Sequence, residues 1–304
     1  MKKLIWLLAL LVMLPCIALG AEDITPEKLL ETGIPLVSLS LNEDGIDAMH
    51  SDPDHKTTCT GTVTITLPDG YTNAYGCNQP AETAYTLSYI RGRGNSTWKQ
   101  DKKPYKFKLE KGANLLGMGK GKHWVLLANA LDPTMMRNEL TYRIAQQLGL
   151  PYTPKMVPVN LMMNGKYLGV YELGNQVRIA GNSIDLDEDD GACMLSLSVT
   201  GDINLPSQVS LCFESDVADD VKADTADFIR RLDEALMSGT WCDADGVHYS
   251  EYMDVTSAAD YFLMQMVTKN SDGISGGNNY FYKTKDSKLF FGPCGISTTA
   301  PGVH

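Results

Sequence analysis

The segment from residue 91 to residue 109 constrains the fold of this chain more than any other part of its sequence. It begins with Arg-Gly-Arg-Gly-Asn-Ser-Thr-Trp at 91–98, where glycines without a Cβ let backbone N–H groups approach an anion closely. It continues with Lys-Lys-Pro-Tyr-Lys-Phe-Lys-Leu at 102–109, and this alternation predicts a strand with two unlike faces. The apolar side chains would share one face and the lysines the other: Tyr105, Phe107 and Leu109 against Lys106 and Lys108.

A glycine turn that leads into a lysine-bearing strand is how protein kinases hold the phosphates of ATP. The segment matches neither phosphate-binding consensus, because no Gly-Lys-Ser/Thr follows the glycines and their spacing is not Gly-x-Gly-x-x-Gly. The alternative is a solvated hairpin whose lysines keep a sheet edge soluble. The local pattern leaves both interpretations open.

The N-terminus predicts a signal peptide over residues 1–20. A charged start is followed by an apolar run from Leu4 to Leu14 and by small residues before a cleavage site near Gly20. The run ends at Pro15, short of the roughly 18 apolar residues that a membrane span needs. We therefore expect a secreted, extracellular protein without a stable membrane span in its mature chain.

The charge distribution favours an anionic ligand over a nucleic-acid partner. The 304-residue chain has a formal net charge of -11, with 43% hydrophobic and 21% charged residues, which argues against binding to nucleic acid. Basic residues nevertheless concentrate in one segment: Arg91, Arg93, Lys99, Lys102, Lys103, Lys106, Lys108, Lys111, Lys120 and Lys122. This cluster suits a polyanion such as a nucleotide, although a solvated run of charges remains the alternative.

The cysteines predict structural disulfides. Six follow the signal peptide: Cys59, Cys77, Cys193, Cys212, Cys242 and Cys294. In an exported protein, pairs that are close in sequence are disulfide candidates. We expect bridges between Cys59 and Cys77 and between Cys193 and Cys212.

Apolar periodicity predicts an α+β fold whose first part is rich in strands. Strands are expected at 34–41, 60–67, 86–90, 105–109, 124–128, 278–283 and 288–291, and a hairpin at 157–163 and 166–173. Helices are expected at 136–148, 219–237 and 254–269. An acidic loop at 185–191 would separate the strand-rich part from the later helices.

The ordered motifs resemble the CotH family, the spore coat protein H-like secretory protein kinases. The matching segments are Arg93-Gly-Asn-Ser-Thr-Trp98, Lys102-Lys-Pro-Tyr-Lys-Phe-Lys-Leu109, Trp124-Val-Leu-Leu-Ala-Asn129, Met136-Arg-Asn138, Gly165-Lys-Tyr-Leu-Gly-Val-Tyr-Glu-Leu173, Gln176-Val-Arg178, Asn270-Ser-Asp272 and Asn279-Tyr-Phe-Tyr-Lys283. The resemblance implies one domain over residues 21–293 with an atypical, two-lobed protein-kinase-like fold. Its N-lobe, about 34–175, would be β-rich with one helix. Its C-lobe, about 176–293, would be more helical and incomplete.

The resemblance also implies an activity and its residues. The family transfers phosphate from ATP to serine in secreted or surface proteins, with Mg²⁺ or Mn²⁺ at the cleft. Cofactor-binding roles carry over to one set of positions: Arg93, Asn95 and Ser96 over the phosphates, Lys106 or alternatively Lys108 reaching them, and Tyr171 and Glu172 near the base. Asp272 would be the catalytic carboxylate, and Asn270 and Asp272 would bind the metal. Without the resemblance, Asp272-Gly273 would be interpreted as a plain turn.

One departure from the family affects the last residues. The family has Pro-hydrophobic-Trp-Asp-x-Asp after its last strand, whose first acidic residue binds the metal, whereas Cys-Gly-Ile-Ser-Thr-Thr-Ala follows Pro293 here. A one-base shift of a possible coding sequence restores hydrophobic-Trp-Asp-Phe-Asp-Tyr-Gly, so residues 294–304 are expected to be a frameshifted tail that leaves this chain inactive. The main alternative is a non-catalytic coat or surface-adhesion protein on a kinase-like fold. A carbohydrate-binding β-domain is a third possibility.

Overall fold

The computed structural model describes residues 24–270, 273 and 279–295. Seven strands form a closed barrel: β1 Leu36–Leu41, β2 Thr58–Thr66, β3 Glu82–Gly92, β4 Tyr105–Asn114, β5 Lys120–Leu127, β6 Met156–Met163 and β7 Lys166–Asn175. Five more form a second sheet: β8 Cys193–Ser198, β9 Ile203–Asn204, β10 Ser210–Phe213, β11 Asn279–Lys283 and β12 Phe290–Cys294. The helices are α1 Pro26–Leu30, α2 Glu43–Ser51, α3 Arg137–Gln147, α4 Asp219–Met237 and α5 Val255–Thr268.

The barrel closes through a pairing between its first and sixth strands. The strand order is β1-β2-β3-β4-β5-β7-β6, and β1 lies parallel to β6 with Leu36 opposite Asn160. Asn164 extends this contact, because its side chain accepts a hydrogen bond from the N–H of Leu41 and donates one to the carbonyl oxygen of Leu41, both at 2.8 Å. Closure leaves none of the seven strands with a free long edge.

The alternation in β4 decides which side chains face the barrel interior. Tyr105, Phe107 and Leu109 are all buried inside the barrel, so Lys106 and Lys108 project from its outer surface, as the sequence predicts. The hairpin of β6 and β7 is also confirmed. Its turn residues Asn164 and Gly165 have φ values of 47° and 78°, as a two-residue hairpin turn requires.

Part of the outer barrel surface packs against the second half of the chain. Outward-facing Val125 of β5 and Met156 of β6 lie in one apolar cluster with Tyr142 of α3. Tyr261 of α5 and Cys294 at the end of β12 complete this cluster. The cluster therefore holds α3, α5 and the end of β12 against the barrel.

The α+β class is confirmed, but the single helix predicted for the first part is wrong. Residues 34–175 contain α2 as well as α3, with α1 just before them. Asn42 caps α2 by accepting a hydrogen bond from the N–H of Gly45 at 3.3 Å, a capping signal of the usual kind. The part after residue 175 is more helical than residues 34–175, as predicted, because it contains the long helices α4 and α5. It also contains β8, β9 and β10 in a stretch that the sequence analysis left without strands. The two-lobed kinase arrangement stays a prediction.

The predicted disulfides are absent, because all six described cysteines carry free thiols. In the second sheet Cys212 lies opposite Ser196, and Cys193 is three positions further along β8, about 10 Å away. That distance exceeds the roughly 7 Å between Cα atoms that a disulfide can span. In the barrel, the thiol of Cys59 donates instead to the carbonyl oxygen of Asn42 at 3.5 Å.

Several predictions concern residues that the structure does not describe. The predicted signal peptide at 1–20 and the catalytic candidate Asp272 lie outside the described residues, as do residues 296–304 of the predicted tail. Within the described ranges, no helix combines the length and the apolar character that a membrane crossing requires.

Candidate functional site

A cavity of about 300 Å³ lies where the barrel surface faces the second sheet, and we call it the cleft. The barrel contributes residues from four strands and from the glycine turn after β3: Arg91, Arg93, Gly94, Lys106, Val125 and Asn175. The second half contributes Glu214 and Tyr280, and the loop between α2 and β2 contributes Asp54, His55 and Lys56. The cleft is therefore rich in cations.

Lys106 occupies the barrel wall of the cleft because β4 turns it outward. Its neighbours across the sheet are Arg91 on β3 and Val125 on β5. Burial first, and then repulsion from Arg91 and Arg93, lower the pKa of Lys106 to about 8, while Glu214 acts in the opposite direction. The ammonium group thus lies among other cations in a partly desolvated position. A bound anion would offset the repulsion between these positive charges.

The glycine turn fixes Arg93 in the wall of the cleft. The N–H of Arg93 donates to the carbonyl oxygen of Pro104 at 3.2 Å, which joins the turn to the start of β4. Gly94 has a φ of 77°, and a Cβ there would lie 2.1 Å from Oγ1 of Thr97, so only glycine fits. Burial lowers the pKa of Arg93, although a guanidinium keeps its charge at neutral pH.

Three cations of the cleft have no matching anion among the described residues, whereas Lys56 pairs with Asp54 at 3.9 Å. Among the described residues, every ion pair within 4.0 Å involves other basic side chains, so Arg91, Arg93 and Lys106 contact no described carboxylate at that distance. Glu214 lines the same cavity, but its Oε1 accepts a hydrogen bond from Ser196 at 2.6 Å. Unpaired, partly buried cations are costly unless a ligand matches them. This arrangement suits an anion with several charges.

Other predicted phosphate-binding residues lie beside the cleft rather than in it. Asn95 and Ser96 are exposed and line a shallower neighbouring pocket together with Lys99. The two pockets share the loop 54–56, so the glycine turn and this loop separate them. Lys108 also projects outward from β4, but it does not line the cleft.

Tyr171 requires a correction. Its side chain is only 1% exposed inside the barrel core, where its hydroxyl donates to the carbonyl oxygen of Lys103 at 3.0 Å. Because alternate residues of β7 face opposite sides, Tyr171 points away from the cleft. It is not available to contact a nucleotide base with its side chain.

Glu172, the next residue, is turned outward and buried against the start of α3. Its Oε1 accepts a hydrogen bond from the N–H of Glu139 at 3.2 Å, and its buried Oε2 has no hydrogen-bond partner among the described residues. Burial raises the pKa of Glu172 to about 7, and the carboxylates of Glu139 and Asp132 add to the increase. The half-buried ammonium of Lys102 is near enough for its own pKa to respond to Glu172. Glu172 does not line the cleft.

The proposed metal ligands are described only in part. Asn270 is 1% exposed and its Nδ2 donates to Oε1 of Gln265 at 2.7 Å. Its Oδ1 is buried without a partner in the described part of the chain. An orphaned amide oxygen of this kind fits a hard cation such as Mg²⁺. The described ranges contain no group of three or more His, Cys, Asp or Glu side chains that could hold a metal, so the fit rests on Asn270 alone.

Three residues of the cleft were not found from the sequence. His55 adopts a left-handed backbone with a φ of 47°, and its Nδ1 is buried without a described partner. Glu214 directly follows β10, and Tyr280 lies on β11. His55 and Glu214 belong to no local motif, and the matching segment Asn279–Lys283 does not indicate that Tyr280 faces a cleft. Glu214 and Tyr280 meet Lys106 because the second sheet packs across the barrel, and His55 does so because the loop between α2 and β2 also lines the cleft.

A comparison with protein-family models identifies the family of this chain. No curated protein matches the chain. A family model described as CotH kinase protein matches residues 90–294, well over half of the chain. The match covers the glycine turn, β4 with Lys106, the β6–β7 hairpin and the strands of the second sheet. The chain therefore belongs to the CotH kinase protein family.

Proposed function

We propose that the cleft binds the phosphates of ATP and that this exported chain derives from a protein kinase acting on serine in secreted or surface proteins. The observation that carries the proposal is the group of Arg91, Arg93 and Lys106 without a described carboxylate within 4.0 Å. A triphosphate supplies the several negative charges that these cations lack. Membership of the CotH kinase family supports the same chemistry.

The chain's own residues would divide the work of holding the nucleotide. Lys106 and Arg93 would bind phosphate oxygens, and the backbone at Gly94 would lie close to them because no side chain intervenes. Asn270 would offer its free Oδ1 to Mg²⁺ or Mn²⁺. A bound divalent ion neutralises charge on the phosphates during transfer.

The transfer itself forms one bond and breaks one. The serine oxygen of the acceptor bonds to the γ-phosphorus, and the bond from this phosphorus to the bridging oxygen breaks, so that ADP leaves with the electron pair. In the proposal, Asp272 takes the proton of the serine hydroxyl. Residues 294–304, as a frameshifted tail without Trp-Asp-x-Asp, would leave the metal poorly held and transfer slow.

Autophosphorylation with labelled ATP and Mn²⁺ tests the proposal, together with calorimetric titration of ATP. Three proteins are compared: the 304-residue chain, a version with the reading frame restored after Pro293, and the restored version with Asp272→Ala. We expect ATP binding in all three and phosphate transfer only in the second. Transfer by the first protein would contradict the role of the missing motif. Absence of ATP binding in all three would contradict the proposed function.

The motif departure after Pro293 favours a second candidate, a non-catalytic coat or surface-adhesion protein on this fold. Such a protein could keep the cationic cleft as a binding site without the metal-dependent step. ATP binding in all three proteins with transfer in none would select this candidate over the kinase.

A further inference from the structure

The C-terminal end of α5 brings two buried amide side chains together. Lys269, the residue after the helix, has a left-handed backbone with a φ of 52°. The N–H of Lys269 donates to the carbonyl oxygen of Met266 at 3.2 Å. The N–H of Asn270 donates to the carbonyl oxygen of Gln265 at 2.9 Å. This pair of bonds is the Schellman motif, a common way for a helix to end, and it returns Asn270 to the last turn of α5.

The two amides are bonded to each other and enclosed. Both residues are 1% exposed, and Nδ2 of Asn270 donates to Oε1 of Gln265 at 2.7 Å. Gly273 covers this contact, because a Cβ there would lie 2.2 Å from Oε1 of Gln265 and 2.7 Å from Nδ2 of Asn270. Nε2 of Gln265 and Oδ1 of Asn270 are buried without a described partner. Buried polar atoms usually have partners, so the free Oδ1 indicates a ligand.

Tyr261 determines which end of the Gln265 amide faces Asn270. It lies one turn before Gln265 on the same buried face of α5, and its hydroxyl donates to Oδ1 of Asn279 at 2.7 Å. Burial raises the pKa of Tyr261, and the nearby Gln265 side chain acts in the opposite direction, although its Nε2 makes no hydrogen bond of regular geometry there. Since the hydroxyl gives its only proton to Asn279, it can offer Gln265 only a lone pair. The N–H end of Gln265 therefore faces Tyr261, and its oxygen faces Asn270.

We propose that Gln265 is a positioning residue for the metal ion: by holding Nδ2 of Asn270, it keeps Oδ1 available to the cation. The proposal rests on the function proposed above, in which Asn270 binds Mg²⁺ or Mn²⁺. An amide binds a hard cation through its oxygen and not through its NH₂ group, and an unrestrained asparagine could present either. The acceptor oxygen of Gln265 selects one orientation. Partners that orient metal ligands in this way typically contribute about 10- to 100-fold in metal affinity.

Electron paramagnetic resonance tests this role without requiring catalysis, because the sharp signal of free Mn²⁺ is lost on binding. Gln265→Leu keeps the approximate size of the side chain but not its acceptor oxygen, so Mn²⁺ affinity should fall roughly tenfold. Gln265→Glu keeps an acceptor oxygen and should bind Mn²⁺ at least as tightly as the parent. Gln147→Leu, the same change at the exposed end of α3, is the matched control and should have no effect. Equal Mn²⁺ affinity of the parent and Gln265→Leu would overturn the proposal.

A double variant separates positioning from packing. If Gln265 acts through Asn270, Gln265→Leu should add no further loss of Mn²⁺ affinity to that of Asn270→Ala. Separate, additive losses would overturn the proposal. A loss in Asn270→Ala without a loss in Gln265→Leu removes only the positioning role. If Asn270→Ala leaves Mn²⁺ affinity unchanged, Asn270 is not a metal ligand, and the metal site of the proposed function is wrong together with this role.

The orientation of Asn270 can also be measured without metal, by NMR of its side-chain amide. In the unmodified chain, the Nδ2 protons of Asn270 should exchange with solvent more slowly than those of the exposed Asn95. Gln265→Leu should speed this exchange several-fold, because the acceptor is gone. Equally fast exchange at Asn270 and Asn95 in the unmodified chain would show that Gln265 does not hold the amide and would overturn the proposal.

Discussion

The charged groups around Asp243 and those around the cleft are arranged in opposite ways. Asp243 accepts hydrogen bonds from Tyr252 at 2.5 Å, from the N–H of Val247 at 2.8 Å and from Arg231 at 2.9 Å. Arg231 also pairs with Asp245 at 2.7 Å. These contacts, the bond from Tyr252 first, lower the pKa of Asp243 to about 2. Each strong charge in this region has a partner.

In the cleft, Arg91, Arg93 and Lys106 lack such partners among the described residues. Lys106 has no described carboxylate within 4.0 Å, and on the neighbouring barrel surface Glu172 keeps one carboxylate oxygen buried without a described partner. Protein interiors usually satisfy their polar groups, so exceptions need an explanation. In this protein, charged groups that have hydrogen-bond or ion-pair partners stabilise the fold. Charged groups that lack such partners indicate where a ligand binds.

The largest expected effect comes from Glu172→Gln. The folded-state pKa of Glu172 is raised from 4.5 to about 7, so folding favours the protonated form and the unmodified protein loses stability as pH rises from 4.5 to 7. Glutamine cannot ionise, and the variant should be more stable at pH 8 by up to about 3 kcal/mol. Near pH 4 the two proteins should be equally stable. Urea unfolding at both pH values measures this.

The control for that experiment is Glu110→Gln, the same chemical change at an exposed position of β4. It should alter stability little at either pH. If Glu172→Gln changed the free energy of unfolding equally at pH 4 and pH 8, Glu172 would not be a buried carboxylate with a raised pKa.

Tyr252→Phe tests the region around Asp243, where the charged groups have partners. The substitution removes the hydroxyl that donates to Asp243 at 2.5 Å and should cost about 2 kcal/mol of unfolding free energy, because hydrogen bonds to charged groups are stronger than neutral ones. ATP affinity should not change. Tyr249→Phe is the matched control, since the hydroxyl of Tyr249 has no hydrogen bond in the described ranges. If both variants unfold at the same urea concentration as the parent, the region is less important than its contacts suggest.

Lys106→Ala tests the cleft, and it should weaken ATP binding without lowering stability. ATP affinity should fall roughly tenfold, because the lost ammonium group no longer offsets phosphate charge. Stability should not fall, since no described ion pair is broken. Calorimetry and thermal unfolding provide the two measurements, with Lys111→Ala as control. Unchanged nucleotide affinity would remove Lys106 from the phosphate site.

The smallest expected effect is a pH dependence of nucleotide binding. The pKa of Lys106 is lowered to about 8, so the side chain loses its charge as pH rises through that value. ATP should bind a few-fold more weakly at pH 9 than at pH 7, by an amount below that of deleting the side chain. Titrations at both pH values of the parent and of Lys106→Ala check this. A dependence that persists in the variant would belong to another group.

Local signals in the sequence predicted much of the barrel. The alternation from Tyr105 to Leu109 identified the inward and outward faces of β4, and Asn164-Gly165 identified the β6–β7 turn. The helix predicted at 219–237 has the bounds of α4. These elements were accessible because a single periodicity or turn type decides each of them.

Features made by distant contacts could not be predicted in this way. Strand β8 contains four successive buried residues, Cys193, Met194, Leu195 and Ser196, so it lacks the alternation that identified the barrel strands. The parallel pairing of β1 with β6 leaves no local trace. The same holds for the cleft, because Lys106 was recognisable on its strand but Glu214 and His55 reach it only through tertiary packing. The disulfide predictions were wrong because they relied on distance along the chain and not on distance across the sheet.

The closure of the barrel has a consequence for how the chain folds. Leu41 and Asn164, which meet where β1 is held against the β6–β7 turn, are 123 positions apart. During synthesis, β1 therefore cannot complete its strand pairing until β6 has left the ribosome. Contacts of such long range slow folding, and an uncovered strand edge can pair with another chain in the meantime. For a polypeptide of this topology, the interval before β6 arrives is the period in which aggregation competes with folding.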